Sequence, residues 1–156
     1  GLTGQTLGII TFAFTIAGTF SNLAWGAMAD RRGFRGTFLL SISLWVLSTL
    51  LLLVASGLWA TVLVFVGIGA AVQGFQNSSQ NLTLEFGDRD NLPVRIAIAN
   101  TASEVAGTIG PLLGGVLAAM LGFEAVFAAS ITFLVIGGIV VRIYVPEPRL
   151  RAERYS

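Results

Sequence analysis

Between Leu7 and Trp25 there is no charged residue, and between Thr37 and Thr61 there is again none. Either run is long enough to cross ~30 Å of hydrocarbon at a helical rise of ~1.5 Å per residue. In lipid no water is at hand to satisfy backbone N–H and C=O groups, so a run of this kind has to pair them internally, as a helix. The ten residues between the runs are Gly26-Ala27-Met28-Ala29-Asp30-Arg31-Arg32-Gly33-Phe34-Arg35. A very short basic connection therefore joins two spanning helices. That juxtaposition constrains the chain more than any other feature in it.

The remaining sequence continues the pattern. Five apolar segments are expected, at about 5–29, 34–55, 58–81, 96–121 and 124–144, with a tail over 145–156. Ser56-Gly57 and Leu121-Gly122 supply turn signals between them. The chain is 54% hydrophobic and 11% charged, where soluble domains carry about 25% charge. The expected class is thus all-α, a polytopic transmembrane helix bundle whose first partner is the lipid bilayer. The absence of cysteine rules out disulfides and thiolate chemistry. The absence of histidine removes the commonest metal ligand and general base. No paired buried carboxylate is evident either, so neither an enzyme nor a metal site is expected, and no cofactor is implied.

All basic residues are arginine, and their placement fixes a topology. Arg31, Arg32 and Arg35 fall in the first connection, Arg89 and Arg95 in the third, and Arg142, Arg149, Arg151 and Arg154 at the C-terminal end. With five spans these connections share one face of the membrane, which the positive-inside rule makes cytoplasmic. The C-terminus is then cytoplasmic and the N-terminal end external. This topological account of the arginines leaves no reason to expect a nucleic-acid partner.

The first connection resembles the signature loop of the major facilitator superfamily of secondary transporters. Gly26, Ala29, Asp30, Arg31, Gly33 and Arg35 match that signature position by position, while Met28 stands for a leucine and Phe34 for a basic residue. The resemblance implies a bundle in which each half of the transporter has six helices. Because the signature follows the second helix of a half, this chain looks like five spanning helices of a half that lacks its first, a piece of a longer protein. The tail Val145-Pro146-Glu147-Pro148-Arg149 resembles the segment closing many facilitators, which points to the C-terminal half, helices eight to twelve. Gly107-Thr108-Ile109-Gly110-Pro111-Leu112-Leu113-Gly114-Gly115 resembles instead the glycine-proline motif of proton-coupled drug antiporters, which lies in the N-terminal half.

What the resemblance implies is transport of a small solute by alternating access. The remaining half of the same transporter is implied as a partner, with protons as a coupling ion and a bacterial cytoplasmic (inner) membrane as location. It further implies a cytoplasmic gate motif, Gly26, Ala29, Asp30, Arg31, Gly33 and Arg35. Glu85, Arg89, Arg95, Glu147 and Arg149 form the surrounding gate network. The rival class is a non-transporting half-size membrane scaffold or assembly subunit, since five helices cannot alone enclose an alternating-access cavity.

Polar residues in the spans are the other candidates. Gln73, Gln76, Asn77 and Gln80 share one helical face, and Gln73, Gln76, Asn77 and Asn100 are candidate substrate-lining residues. Amides in hydrocarbon must be paired or wetted, so plain helix-to-helix hydrogen bonding is the alternative. Glu104 is the only acid well inside an expected span, a candidate proton-coupling carboxylate. Gly107, Gly110, Gly114 and Gly115 admit close helix contact, and Pro111 favours a kink, so a bend is expected there. The segments 34–55 and 124–144 are almost wholly apolar and are expected to face lipid.

Overall fold

A computed structural model describes residues 3–85 and 91–146. Among the described residues there are four helices and no strand. They are α1 (Gly4–Val54), α2 (Leu58–Glu85), α3 (Leu92–Leu121) and α4 (Phe123–Tyr144). All four are long and apolar enough to cross a membrane. This corrects the expectation of five separate segments. The stretches 5–29 and 34–55 lie inside one element, because helical geometry persists through Asp30-Arg31-Arg32, resumes at Phe34, and is broken only at Gly33. Alanine, methionine and arginine are all good helix formers, so nothing in the basic stretch opens a loop.

Gly33 nevertheless redirects the chain. Its φ of 77° and ψ of 164° lie outside the helical region. Trp25 and Ser41 both press against Gly74 of α2. In a straight helix those two residues would be ~24 Å apart, so α1 folds back on itself. Its first arm, 4–32, runs parallel to α2, with Phe14 beside Gly69 and Asn22 bonded to Asn77. Its second arm, 34–54, runs antiparallel to α2, with Ser41 beside Gly74 and Ser48 beside Gly67. Two further reversals fall at Gly57 (φ 86°) and Gly122 (φ 85°), which adopt backbone geometry that side chains resist. Thr3 opens α1 by accepting the Thr6 amide at 3.2 Å, and Pro93 sits in the first turn of α3, where a missing N–H is harmless.

The centre of the structure is built of small residues. Ala71 of α2 and Ser41 of the second arm are wholly buried, and Thr37 and Ser78 are each 1% exposed. Together with Gly67 and Gly74 they form a seam in which α2 and the second arm approach closely. Lipid tails are as apolar as leucine, so dispersion at short range, rather than escape from water, rewards this contact. Two of the buried hydroxyls are satisfied within their own helix, while Ser78 Oγ has no hydrogen-bond partner among the described residues. Thr37 Oγ1 donates to the Gly33 carbonyl at 2.9 Å and Ser41 Oγ to the Phe38 carbonyl at 2.8 Å. Phe38, Ile42 and Leu82 form the apolar cluster at one end, with Phe75 tilted against Phe38 at 5.1 Å between ring centroids. Leu134 and Val141 bring α4 onto the same cluster.

α3 stands apart. None of its residues is buried among the described ones, although it is as long as the spans around it. It touches α4 and α2 lightly and leaves its polar face, including Thr101, Glu104 and Thr108, open.

Candidate functional site

The basic turn is the first candidate. Met28-Ala29-Asp30-Arg31-Arg32 is still helical, so its side chains fan around the end of the first arm instead of lining a loop. Ala29 is buried at 4% exposure and anchors that end. Asp30, Arg31 and Arg32 are exposed, and Gly26 has open space around it. Arg31 and Arg32 line a shallow cleft of about 370 Å³ with Ala24, Ala27 and Met28. Gly33 is itself buried at the reversal.

Arg35 lies just beyond, half-buried, and its Nη2 donates to the backbone carbonyl of Arg142. That carbonyl belongs to the last turn of α4, where helical oxygens have no partner within the helix and the macrodipole is negative. Arg35 therefore caps the C-terminal end of α4 and ties it to the turn. Replacing it with glutamine should loosen that end. The expected loss is ~1 kcal/mol, the net worth of one hydrogen bond. It is read as faster amide hydrogen exchange at Val145, whose N–H donates to the Val141 carbonyl. Unchanged exchange in Arg35→Gln would refute the capping role.

Of the surrounding network, Glu85 is exposed at the end of α2 and Arg95 is half-buried near the start of α3. Arg89, Glu147 and Arg149 lie outside the described residues.

The amide face of α2 divides between two surroundings. Asn77 Nδ2 donates to Asn22 Oδ1 at 2.6 Å, and Gln73 points its Oε1 toward Gly18. Both thus sit in the seam between α2 and the first arm. Nearby, Trp25 Nε1 donates to the Ala70 carbonyl at 2.7 Å. Gln76 is exposed. Asn100 is exposed on α3 and lines a cleft of about 400 Å³ between α2 and α3, together with Ser79, Gln80, Thr83 and Ser103. Sequence reasoning placed Asn100 with Gln73 and Gln76; the structure gathers it with Gln80 and three hydroxyls. The signal was available in the spacing of Ser79 and Thr83 on one face of α2, and of Asn100 and Ser103 on one face of α3.

Glu104 is exposed on α3, one turn from Thr108, whose Oγ1 donates to the Glu104 carbonyl at 2.9 Å. Gly107, Gly110, Gly114 and Gly115 meet no other element: a methyl group added at any of them would find open space. The expected close contact at these glycines is therefore not made among the described residues. α3 also passes through Pro111 as one helix from Leu92 to Leu121. The proline leaves the Gly107 carbonyl without its usual amide partner, a local cost that does not by itself end the helix.

A multi-span helical bundle with an acid-and-arginine turn at one reversal defines the class, an α-helical integral membrane protein. Its family follows from comparison. The family model of the Major Facilitator Superfamily matches residues 1–155, and the chain belongs to that family. It is 26% identical over 150 residues to "Putative multidrug resistance protein MdtD" of Klebsiella pneumoniae (strain 342). That match covers 95% of this chain and 31% of the relative, so the chain spans about a third of the length of the curated relative it matches. No solved structure matches the chain.

Proposed function

We propose that this chain is part of a secondary transporter that moves a small solute across a membrane by alternating access, driven by protons. The observation that carries the reading is the basic turn, Gly26 to Arg35, standing at the reversal of α1 in a chain that the transporter family covers almost end to end. In this reading the two arms of α1 cross the membrane separately, giving five crossings. They correspond to helices eight to twelve, and the other half supplies the rest of the cavity. The arginine-bearing ends of the helices lie on the cytoplasmic side, and rocking of the halves is gated there by the set Asp30, Arg31 and Arg35. Multidrug export is the more specific version, favoured by the name of the relative.

These residues contain no cysteine, so with any cysteine elsewhere in the gene product replaced, the topology is directly testable. Single cysteines introduced as Arg32→Cys and Ser56→Cys lie at the two ends of the second arm. An impermeant maleimide applied to intact cells should label Ser56→Cys at once and Arg32→Cys only after permeabilisation. Equal labelling of both in intact cells would refute separate crossing of the arms.

Coupling is assigned to Glu104. In vesicles holding the full-length gene product, an imposed pH gradient should drive substrate accumulation. Glu104→Gln should abolish the dependence on the gradient while leaving counterflow exchange of substrate intact. Gradient-driven accumulation that survives the substitution would remove Glu104 from the mechanism. Absence of any solute movement by the wild type, over a broad panel of cationic and neutral drugs, would instead favour the scaffold.

A further inference from the structure

The second arm of α1 and α4 enclose an apolar groove of about 460 Å³ that the transport reading does not use. Leu39, Val46, Leu47 and Leu50 line one wall, and Gly138 and Arg142 mark the floor and the end of the other. Leu39 and Leu50 are eleven residues apart on one helix, so the wall is ~16 Å long, close to half of a ~30 Å hydrocarbon core. Gly138 is buried and presents only Ile42 within contact distance, at 3.6 Å from where a side chain would begin. It keeps the floor low. Arg142 is exposed at the same end as Arg35, since Arg35 reaches the Arg142 carbonyl. The groove thus has an apolar trough one leaflet deep, with the Arg142 side chain lining its mouth.

We infer that this groove holds one anionic phospholipid of the leaflet on the arginine side, with an acyl chain along Leu39 to Leu50 and its phosphate at Arg142. Length and charge both select that occupant. An apolar neighbouring helix would fill the trough but give Arg142 no counter-charge. An isolated phosphate would pair with Arg142 and leave the trough open. A basic side chain at the membrane surface favours an anionic lipid by ~1 kcal/mol, about a five-fold enrichment.

The test uses the full-length gene product with Leu47 replaced by a benzophenone photo-crosslinking side chain. It is reconstituted in vesicles of equal parts phosphatidylglycerol and phosphatidylcholine. After irradiation, the mass of the adduct identifies the occupant. The expected adduct is phosphatidylglycerol over phosphatidylcholine by about five-fold. In Arg142→Gln the preference should fall to near equality, and in Arg142→Lys it should return. Gly138→Leu, which raises the floor, should lower both lipid adducts. If Gly138→Leu fails to fold, Arg142→Gln at the exposed rim still decides the question. Crosslinks to polypeptide, from this chain or a second copy, would overturn the inference. So would equal yields of the two lipids in the unsubstituted protein, or a preference that Arg142→Gln leaves unchanged.

Discussion

Gly33→Ala should destabilise the folded protein by ~1–3 kcal/mol, the usual cost of forcing a residue with a side chain into sparsely populated backbone geometry. Gly33 has φ 77° and ψ 164°, a combination essentially reserved for glycine. The position is also buried, so the backbone has little room to relax around an added methyl. Two routes lead out of the strain. Either the turn keeps its form and the cost appears as lost stability, or Gly33 relaxes toward helix and the arms can no longer both lean on α2. On the second route Arg35 is carried away from the Arg142 carbonyl. The comparison is Gly36→Ala, three residues on, where a methyl would meet only Arg32 Cβ at an ordinary 3.5 Å. That change should be neutral or stabilising by up to ~1 kcal/mol, because alanine is the better helix former. Thermal inactivation of detergent-purified protein, followed by loss of the monodisperse peak, measures both. Equal losses for the two variants would refute the strain argument.

The second large effect is expected at Gly69 and Gly74. A methyl on Gly69 would run into the Phe14 backbone, with its carbonyl carbon at 3.0 Å and its Cα at 3.1 Å. Backbone cannot rotate aside, so α2 and the first arm must move apart along the seam that holds the Asn22–Asn77 bond. A methyl on Gly74 would lie 2.6 Å from Trp25 Cε2 and 2.9 Å from Ser41 Cβ, wedging between α2 and both arms. Overpacking of this kind typically costs ~1–3 kcal/mol, and Gly69→Ala should fall at the upper end. Gly74→Ala offers a sharper check, since one offending group is a side chain. Trp25→Leu removes the ring and with it the Nε1 hydrogen bond to the Ala70 carbonyl. The double variant should therefore lose less than the sum of the singles by ~0.5 kcal/mol or more. Strict additivity in thermal stability would show that the ring and the glycine do not compete for the same space.

These two predictions mark what could and could not be read from the residues. That the chain is helical and built to lie in a membrane follows from uncharged runs such as Leu7–Trp25, because lipid leaves the backbone no other choice. The turns at Gly57 and Gly122 were legible for a similar reason, each being a glycine between long apolar stretches. Gly33 was legible as part of a motif, but not as the sole break in a helix of 51 residues. Charge marks where a chain meets water, and three charged residues before Gly33 suggest a loop, whereas those residues remain good helix formers. The glycine-proline run of α3 drew attention for close packing, yet its glycines face open space, and the seams form at Gly67, Gly69 and Gly74 instead. Both sets have small residues at helical spacing. What separates them is the identity of the opposing helix, which only the fold supplies. The amides of α2 illustrate the same limit. Gln73 and Asn77 could be read as solute-lining or as helix-to-helix contacts, and which helix they face, that of Gly18 and Asn22, comes only from the fold.

The bare flank of α3 has a consequence for how the protein is made. Both arms of α1 and all of α2 precede α3 in the chain, and their mutual seams, from Phe14 against Gly69 to Ser48 against Gly67, need no residue beyond Glu85. A polypeptide emerges N-terminus first, so this trio can lock together in the translocon's vicinity before α3 has left the ribosome. α3 is then a late arrival that docks onto a finished surface. A sequence change within it should spare early assembly and show its harm only once synthesis is complete.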